Sequence, residues 1–120
     1  MTDATPLRSD MRSGTRFGMV ARLRPEKRAE YLDLHANAWP AVEAMITECG
    51  IRNFTIYVIG DVIFGYYEYV GLDFDADQAK MAADPATQEW WARTAPCQLP
   101  FEPESTEPNW QIMREAWHLD

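Results

Sequence analysis

A chain of 120 residues with a formal net charge of −8 and a sequence pI near 4.7 is long enough to bury a core without metal or disulfide staples. Its acidity repels phosphate backbones and anionic bilayers, which argues against nucleic acid and membrane surfaces as partners. No apolar run approaches the roughly 20 residues of a membrane-spanning helix, and Cys49 and Cys97, the only cysteines, form no C-x-x-C or Cys/His ligand spacing.

Two buried thiols in a reducing compartment are the plain reading of those cysteines, so a cytoplasmic protein is expected. Hydrophobic residues make up 47% of the chain, with five Trp, five Tyr and five Phe among them. Rings in that number serve a core, an interface or a ligand pocket, and composition does not choose among the three.

Residues 1–15, "MTDATPLRSDMRSGT", lack the apolar stretch of a secretory signal and read as a flexible arm ahead of a single domain over 16–120. "RFGMVARLR" (16–24) sets Phe17, Met19, Ala21 and Leu23 on one face at a period of two, which predicts a strand. Pro25 stands where a first helical turn tolerates a missing N–H. The helix that follows, "PEKRAEYLDLHANA", places Ala29, Leu32 and Ala36 on one stripe for packing. Tyr31 and His35 form a pair four residues apart on a neighbouring stripe.

Pro40 disfavours helical geometry at Trp39, so the helix breaks over 37–39. A second helix runs from Pro40 to Gly50, with Val42, Met45, Ile46 and Cys49 as its apolar face. "IRNFTIYVIGDVIFGYYEYV" (51–70) reads as a hairpin turning at Gly60-Asp61 through a II′ or I′ turn. Residues 73–94 read as a helix in two pieces broken at Asp84-Pro85. Residues 95–109 hold four of the eight prolines and predict no regular structure. Residues 110–119 close the chain as a strand.

The order is β-α-β-β-α-β, a ferredoxin-like α+β pattern with an antiparallel sheet. Helices on one face leave the other bare, and that face carries large hairpin side chains. A second copy of the same sheet is its simplest cover, so a homodimer is expected.

Chemistry-bearing residues are few. Histidine ionises near neutrality, at about pH 6.5, and His35 has Tyr31 one turn away and Trp39 at the helix break. A histidine bonded to a core carbonyl explains the same letters. His118 reads as structural or exposed. Trp90 and Trp91 point about 100° apart on a helix, so one serves the core while the other borders a cavity. Both as core or interface rings is the plainer reading, yet indole faces are also platforms on which sugars lie. Glu68, inside "YYEYV", reads as a solvated edge carboxylate. The sequence contains no Gly-rich phosphate loop, no G-x-S-x-G elbow and no metal-ligand spacing.

"EYLDLHANAWPAVEAMITECGIRNFTIY" (30–57) followed by "EWWARTAP" (89–96) resembles the L-rhamnose mutarotase family, over roughly residues 16–119. That resemblance implies a dimeric α/β barrel and a cofactor-free, metal-free isomerase acting on a monosaccharide, a 6-deoxyhexose. By position it implies His35 as the acid, Tyr31 as a substrate contact, and Trp90 and Trp91 as the pair lining the sugar pocket. One position departs: where the family has tyrosine in N-Y-x-I-Y, this chain has Phe54, an apolar wall without a hydroxyl. The same barrel hosts other functions. A cofactor-independent monooxygenase and a non-catalytic ligand-binding dimer are the competing readings.

Overall fold

The computed structural model describes residues 15–107 and 109–120. The arm expected over 1–15 lies outside the described residues save for Thr15, which opens the first strand. In that strand, β1 (Thr15–Leu23), the apolar side of the alternation is the buried side, with Phe17, Met19, Ala21 and Leu23 all facing inward. A 3-10 turn over Pro25–Lys27 leads into α1 (Arg28–Ala36). The chain extends through Trp39 before Pro40 starts α2 (Pro40–Glu48), as the pre-proline restriction demands. Gly50, at φ +83°, turns the chain out of α2 into β2 (Ile51–Ile59).

β2 and β3 (Val62–Tyr69) form the hairpin, and Gly60 at φ +55° takes the left-handed first position of a II′ turn. α3 (Phe74–Ala83) and α4 (Pro85–Thr94) meet at Asp84, whose carboxylate caps α4 by accepting the N–H of Thr87 at 3.0 Å. The sheet runs β2-β3-β1, all antiparallel. The outer edge of β1 is shared by β4 (Gln98–Leu99) and β5 (Gln111–Met113). This is the ferredoxin-like order, with its last strand split in two.

Three expectations are corrected. The segment 95–109 is not wholly irregular, because a 3-10 turn over Ala95–Cys97 and β4 fall inside it. The closing strand is shorter than 110–119 and ends at Met113. Strand pairing along β1 is divided between two short segments, and the chain between them, with Pro100 and Pro103 lacking donors, leaves the ladder. On α1, Ala29 and Ala36 are exposed, and the buried residue is Tyr31, at 2%. Burying one aromatic ring outweighs burying two methyls, so the helix rolls until Tyr31 faces the sheet.

The core lies in two clusters beneath the helices. One gathers Phe17, Met19, Cys49, Ile51, Tyr67, Tyr69, Phe74 and Met81, and the half-buried Met45 and Ile46 of α2 pack on it. The other, under α1, gathers Ala21, Leu23, Tyr31, Ile63 and Cys97. Trp110 packs against both. Among the described residues no helix is long and apolar enough to cross a membrane.

Fully buried Tyr69 fastens α3 to the sheet: its hydroxyl donates to the Asp77 carboxylate and accepts the Asp73 N–H at 2.9 Å. Removing it with Tyr69→Phe leaves both partners short of a bond, and a cost of about 1–3 kcal/mol is expected for such losses. Urea unfolding of the two proteins measures it, with an unchanged m-value showing that only stability moved.

Candidate active site

Between the sheet and the helices that cover it lies a cavity of about 960 Å³. Tyr31, His35, Phe54, Trp90, Trp91 and Gln98 all line it. The four site residues singled out from the sequence are therefore brought to one place, though in different settings.

Tyr31 forms the floor. Its ring is packed among Leu23, Ile63 and Cys97, and its hydroxyl accepts a hydrogen bond from Gln98 Nε2 at 3.2 Å. Burial pushes its hydroxyl up to about 12, with the Gln98 bond acting weakly the other way. Tyr31 is thus a neutral phenol at any working pH.

His35 sits one turn further along α1, half-buried, with its ring 4.3 Å from that of Tyr31. Its Nδ1 lies 2.8 Å from the carbonyl oxygen of Tyr31. A carbonyl only accepts, so Nδ1 carries the hydrogen, and the tautomer is settled by the backbone. Nε2 is left as the nitrogen available to a ligand. The carbonyl bond expected of a structural histidine is present, and it orients a ring that faces the cavity.

Trp90, 8% exposed, meets the His35 ring edge-on at 5.2 Å and meets Trp39 in the same manner at 5.2 Å. Trp39 reaches this position because the extended backbone before Pro40 swings it off the helix axis, and Arg93 lies over its ring at 5.8 Å. A continuous run of rings results, in which Tyr31, His35 and Trp90 line the cavity and Trp39 supports Trp90. Trp91, next in sequence, is 41% exposed and stands at the cavity rim. The pair divides as helical geometry requires, one ring inside and one outside.

Phe54 enters through a β-bulge. Arg52 pairs with Glu68 and Thr55 with Tyr66, so Asn53 and Phe54 together oppose Tyr67. Asn53 adopts φ +53°, a conformation that asparagine tolerates better than most residues. Its amide donates to Glu68 at 3.0 Å, while the Phe54 ring packs edge-on against Tyr67 at 5.6 Å. Glu68 also accepts from the Tyr66 hydroxyl at 2.7 Å, and these bonds lower its carboxyl pKa. The sequence carries a trace of the bulge, because the apolar positions Ile51, Phe54, Ile56 and Val58 step by three once and then by two.

Gln98 and Trp110 are cavity residues that sequence reasoning passed over. Both lie in or beside the proline-rich segment, where no periodicity marks an inward side. His118 does not line the cavity and lies 2.9 Å from Asp120 in an exposed pair. Among the described residues, no three of His, Cys, Asp or Glu gather as a metal cluster.

The sequence model of the L-rhamnose mutarotase family matches residues 16–119. The chain belongs to the L-rhamnose mutarotase family. An L-rhamnose mutarotase of Oceanobacillus iheyensis is 27% identical over 107 residues, covering 88% of this chain and 98% of that protein. In fold, the chain is similar to a crystallised L-rhamnose mutarotase of Formosa agariphila, with a TM-score of 0.68 at 15% identity over 88% of this chain and 99% of the other. It is also similar, at a TM-score of 0.58 and 18% identity, to tetracenomycin F2 cyclase of Streptomyces glaucescens, covering 88% of this chain and 99% of the cyclase. That second likeness concerns architecture alone. Within a mutarotase-family chain, the cavity just described has a histidine of defined tautomer, a neutral phenol and aromatic walls.

The buried phenols set an alkaline limit. Tyr31 and Tyr69 ionise at about 12 when folded, against an ordinary 10.0. Below pH 10 both states keep these two protons, and the two phenols leave stability unchanged. As pH rises from about 10 towards 12, the unfolded chain loses protons that the folded one still holds, so stability falls. In tyrosinate absorbance titration, Tyr31 and Tyr69 are expected to ionise late, with the urea midpoint falling over the same window. Tyr31→Phe should remove one of the late steps.

Proposed function

We propose that this protein is a cofactor-independent mutarotase that interconverts the α and β anomers of a 6-deoxyhexose, L-rhamnose first. The observation that carries the reading is His35 in a mutarotase-family chain: Nδ1 is committed to the Tyr31 carbonyl and Nε2 is left for a ligand at an aromatic-walled cavity.

Mutarotation needs one proton delivered and one removed, with no net oxidation. Protonated His35 gives its Nε2 proton to the ring oxygen as the C1–O bond breaks, and the anomeric hydroxyl loses its proton to a water. The open aldehyde turns about the C1–C2 bond, and the reverse transfers close the ring on the other face. Tyr31, Trp90 and Trp91 are the substrate contacts. Trp91 stands at the rim as a platform for C–H groups, and Trp90 backs the histidine. Phe54 and the neighbouring apolar wall suit the C6 methyl of a deoxysugar, for which no hydroxyl partner is needed.

Residues 16–120 act as one unit, and the protein works as a homodimer in the cytoplasm, where Cys49 and Cys97 stay reduced. Support for the dimer comes from the face of the sheet opposite the cavity. Val20, Val62 and Phe64 are half-buried there with no helix of the described residues above them, and the more exposed Tyr57 stacks on Phe64 at 6.2 Å. An apolar face spanning three strands is the kind of surface that a second copy covers.

Saturation transfer between the anomeric proton signals of L-rhamnose tests the activity. Irradiating one anomer is expected to deplete the other only when protein is present, with His35→Ala lowering the catalysed rate by about 10²–10⁴-fold. Exchange at the buffer rate for both L-rhamnose and L-fucose would falsify the assignment. For the dimer, light scattering is expected to give twice the chain mass, and Phe64→Glu to give the monomer mass with the circular dichroism spectrum unchanged.

A further inference from the structure

Outside the residues that the family resemblance singles out, the cavity is lined by three buried polar side chains, Thr87, Thr94 and Gln98, and it is Gln98 that reaches Tyr31. Gln98, 7% exposed, is the first residue of β4, a two-residue strand. Its pairing with Leu23 on β1 turns its side chain inward, towards the floor of the cavity. There the amide meets the Tyr31 hydroxyl at 3.2 Å.

An amide N–H only donates, so the phenolic oxygen spends a lone pair on Gln98 and keeps its own proton. No acceptor among the described residues takes that proton, and Tyr31 lines the cavity. Burial prevents the alternative in which the phenol ionises and accepts instead. The consequence is directional: without Gln98 the hydroxyl rotates freely between donating to and accepting from a ligand, and with it the hydroxyl is a dedicated donor. Accepting one hydrogen bond also polarises the O–H towards donating the next.

We propose that Gln98 is a positioning residue for the sugar: it acts through Tyr31, presenting the phenolic O–H as a fixed donor to an oxygen of the bound 6-deoxyhexose. This rests on the mutarotase reading. It assigns to the cavity two donors with separate tasks. His35, its Nδ1 hydrogen committed to the Tyr31 carbonyl, delivers its Nε2 proton to the ring oxygen, and Tyr31 donates to a second oxygen of the sugar because Gln98 holds its lone pair. Two donors at fixed places decide which way round the ring lies between the aromatic walls.

The test is a double-mutant cycle of Gln98→Met, which keeps the volume and removes the donor, with Tyr31→Phe, read by anomer exchange at varied L-rhamnose concentration. Gln98→Met is expected to raise KM about tenfold, the size of one hydrogen bond to substrate, and to leave kcat within about twofold. In the Tyr31→Phe background the same substitution should change KM by less than about twofold, because there is no hydroxyl left to orient. Gln98→Glu keeps the shape but reverses the polarity: a carboxylate draws the phenolic proton to itself and away from the sugar, so KM should rise at least as far as in Gln98→Met. If Gln98→Met does not fold, Gln98→Glu in the same cycle carries the test.

An unchanged KM in the single variants overturns the proposal, as does an equal rise in KM with and without the Tyr31 hydroxyl. A fall in kcat with KM unmoved also overturns it, since a merely structural glutamine would act by loosening the site around His35. Failure of the unsubstituted protein to exchange the anomers of either L-rhamnose or L-fucose is a separate outcome that removes the mutarotase reading and this proposal together.

Discussion

Tyr31 is the one buried side chain of α1, and its ring settles how that helix lies on the sheet. The helix has little else to offer the core: its alanines are exposed and Leu32 is half-buried. Seating the ring between Leu23, Ile63 and Cys97 fixes the roll of the helix, and the residue one turn later must then face the cavity. The same residue supplies the carbonyl that holds the His35 ring by Nδ1 and the hydroxyl that meets Gln98. Docking of the helix, tautomer of the histidine and polarity of the cavity floor are thus consequences of a single placement.

Two breaks in regular structure shape the cavity wall. Pro40 stops α1 from running on into α2 and leaves Trp39 extended, where it packs behind the lining ring of Trp90. The bulge at Asn53-Phe54 adds one residue to β2 and turns Phe54 onto the helix-covered side without disturbing the pairing from Thr55 to Ile59. It also keeps Tyr57 and Ile59 on the opposite face. One inserted residue therefore serves both the cavity and the face read as the dimer surface.

Tyr31 with His35, and Trp90 with Trp91, were legible as pairs because helical spacing and adjacency are local properties, while their union in one sugar site came from the family resemblance. What separates Trp90 from Trp91 was legible only as a division, since neighbouring helical residues must point apart. Which ring goes inward depends on where α4 lies over the sheet. Gln98 was not legible at all. Its neighbours Pro96 and Pro100 mark a turn-rich segment, and a two-residue strand is too short to show alternation.

The sequence by itself determined the order of elements, the buried side of β1, the hairpin turn at Gly60, the helix breaks at Pro40 and Pro85, and the family. Each follows from backbone restrictions or from periodicity within a few residues of chain. Only the tertiary structure decided that Tyr31 rather than the alanine stripe faces the core, that the final strand is split between β4 and β5, and that Gln98 reaches Tyr31 across 67 positions of sequence. Those outcomes depend on competition between distant groups for the same buried space, and no local pattern records who wins it.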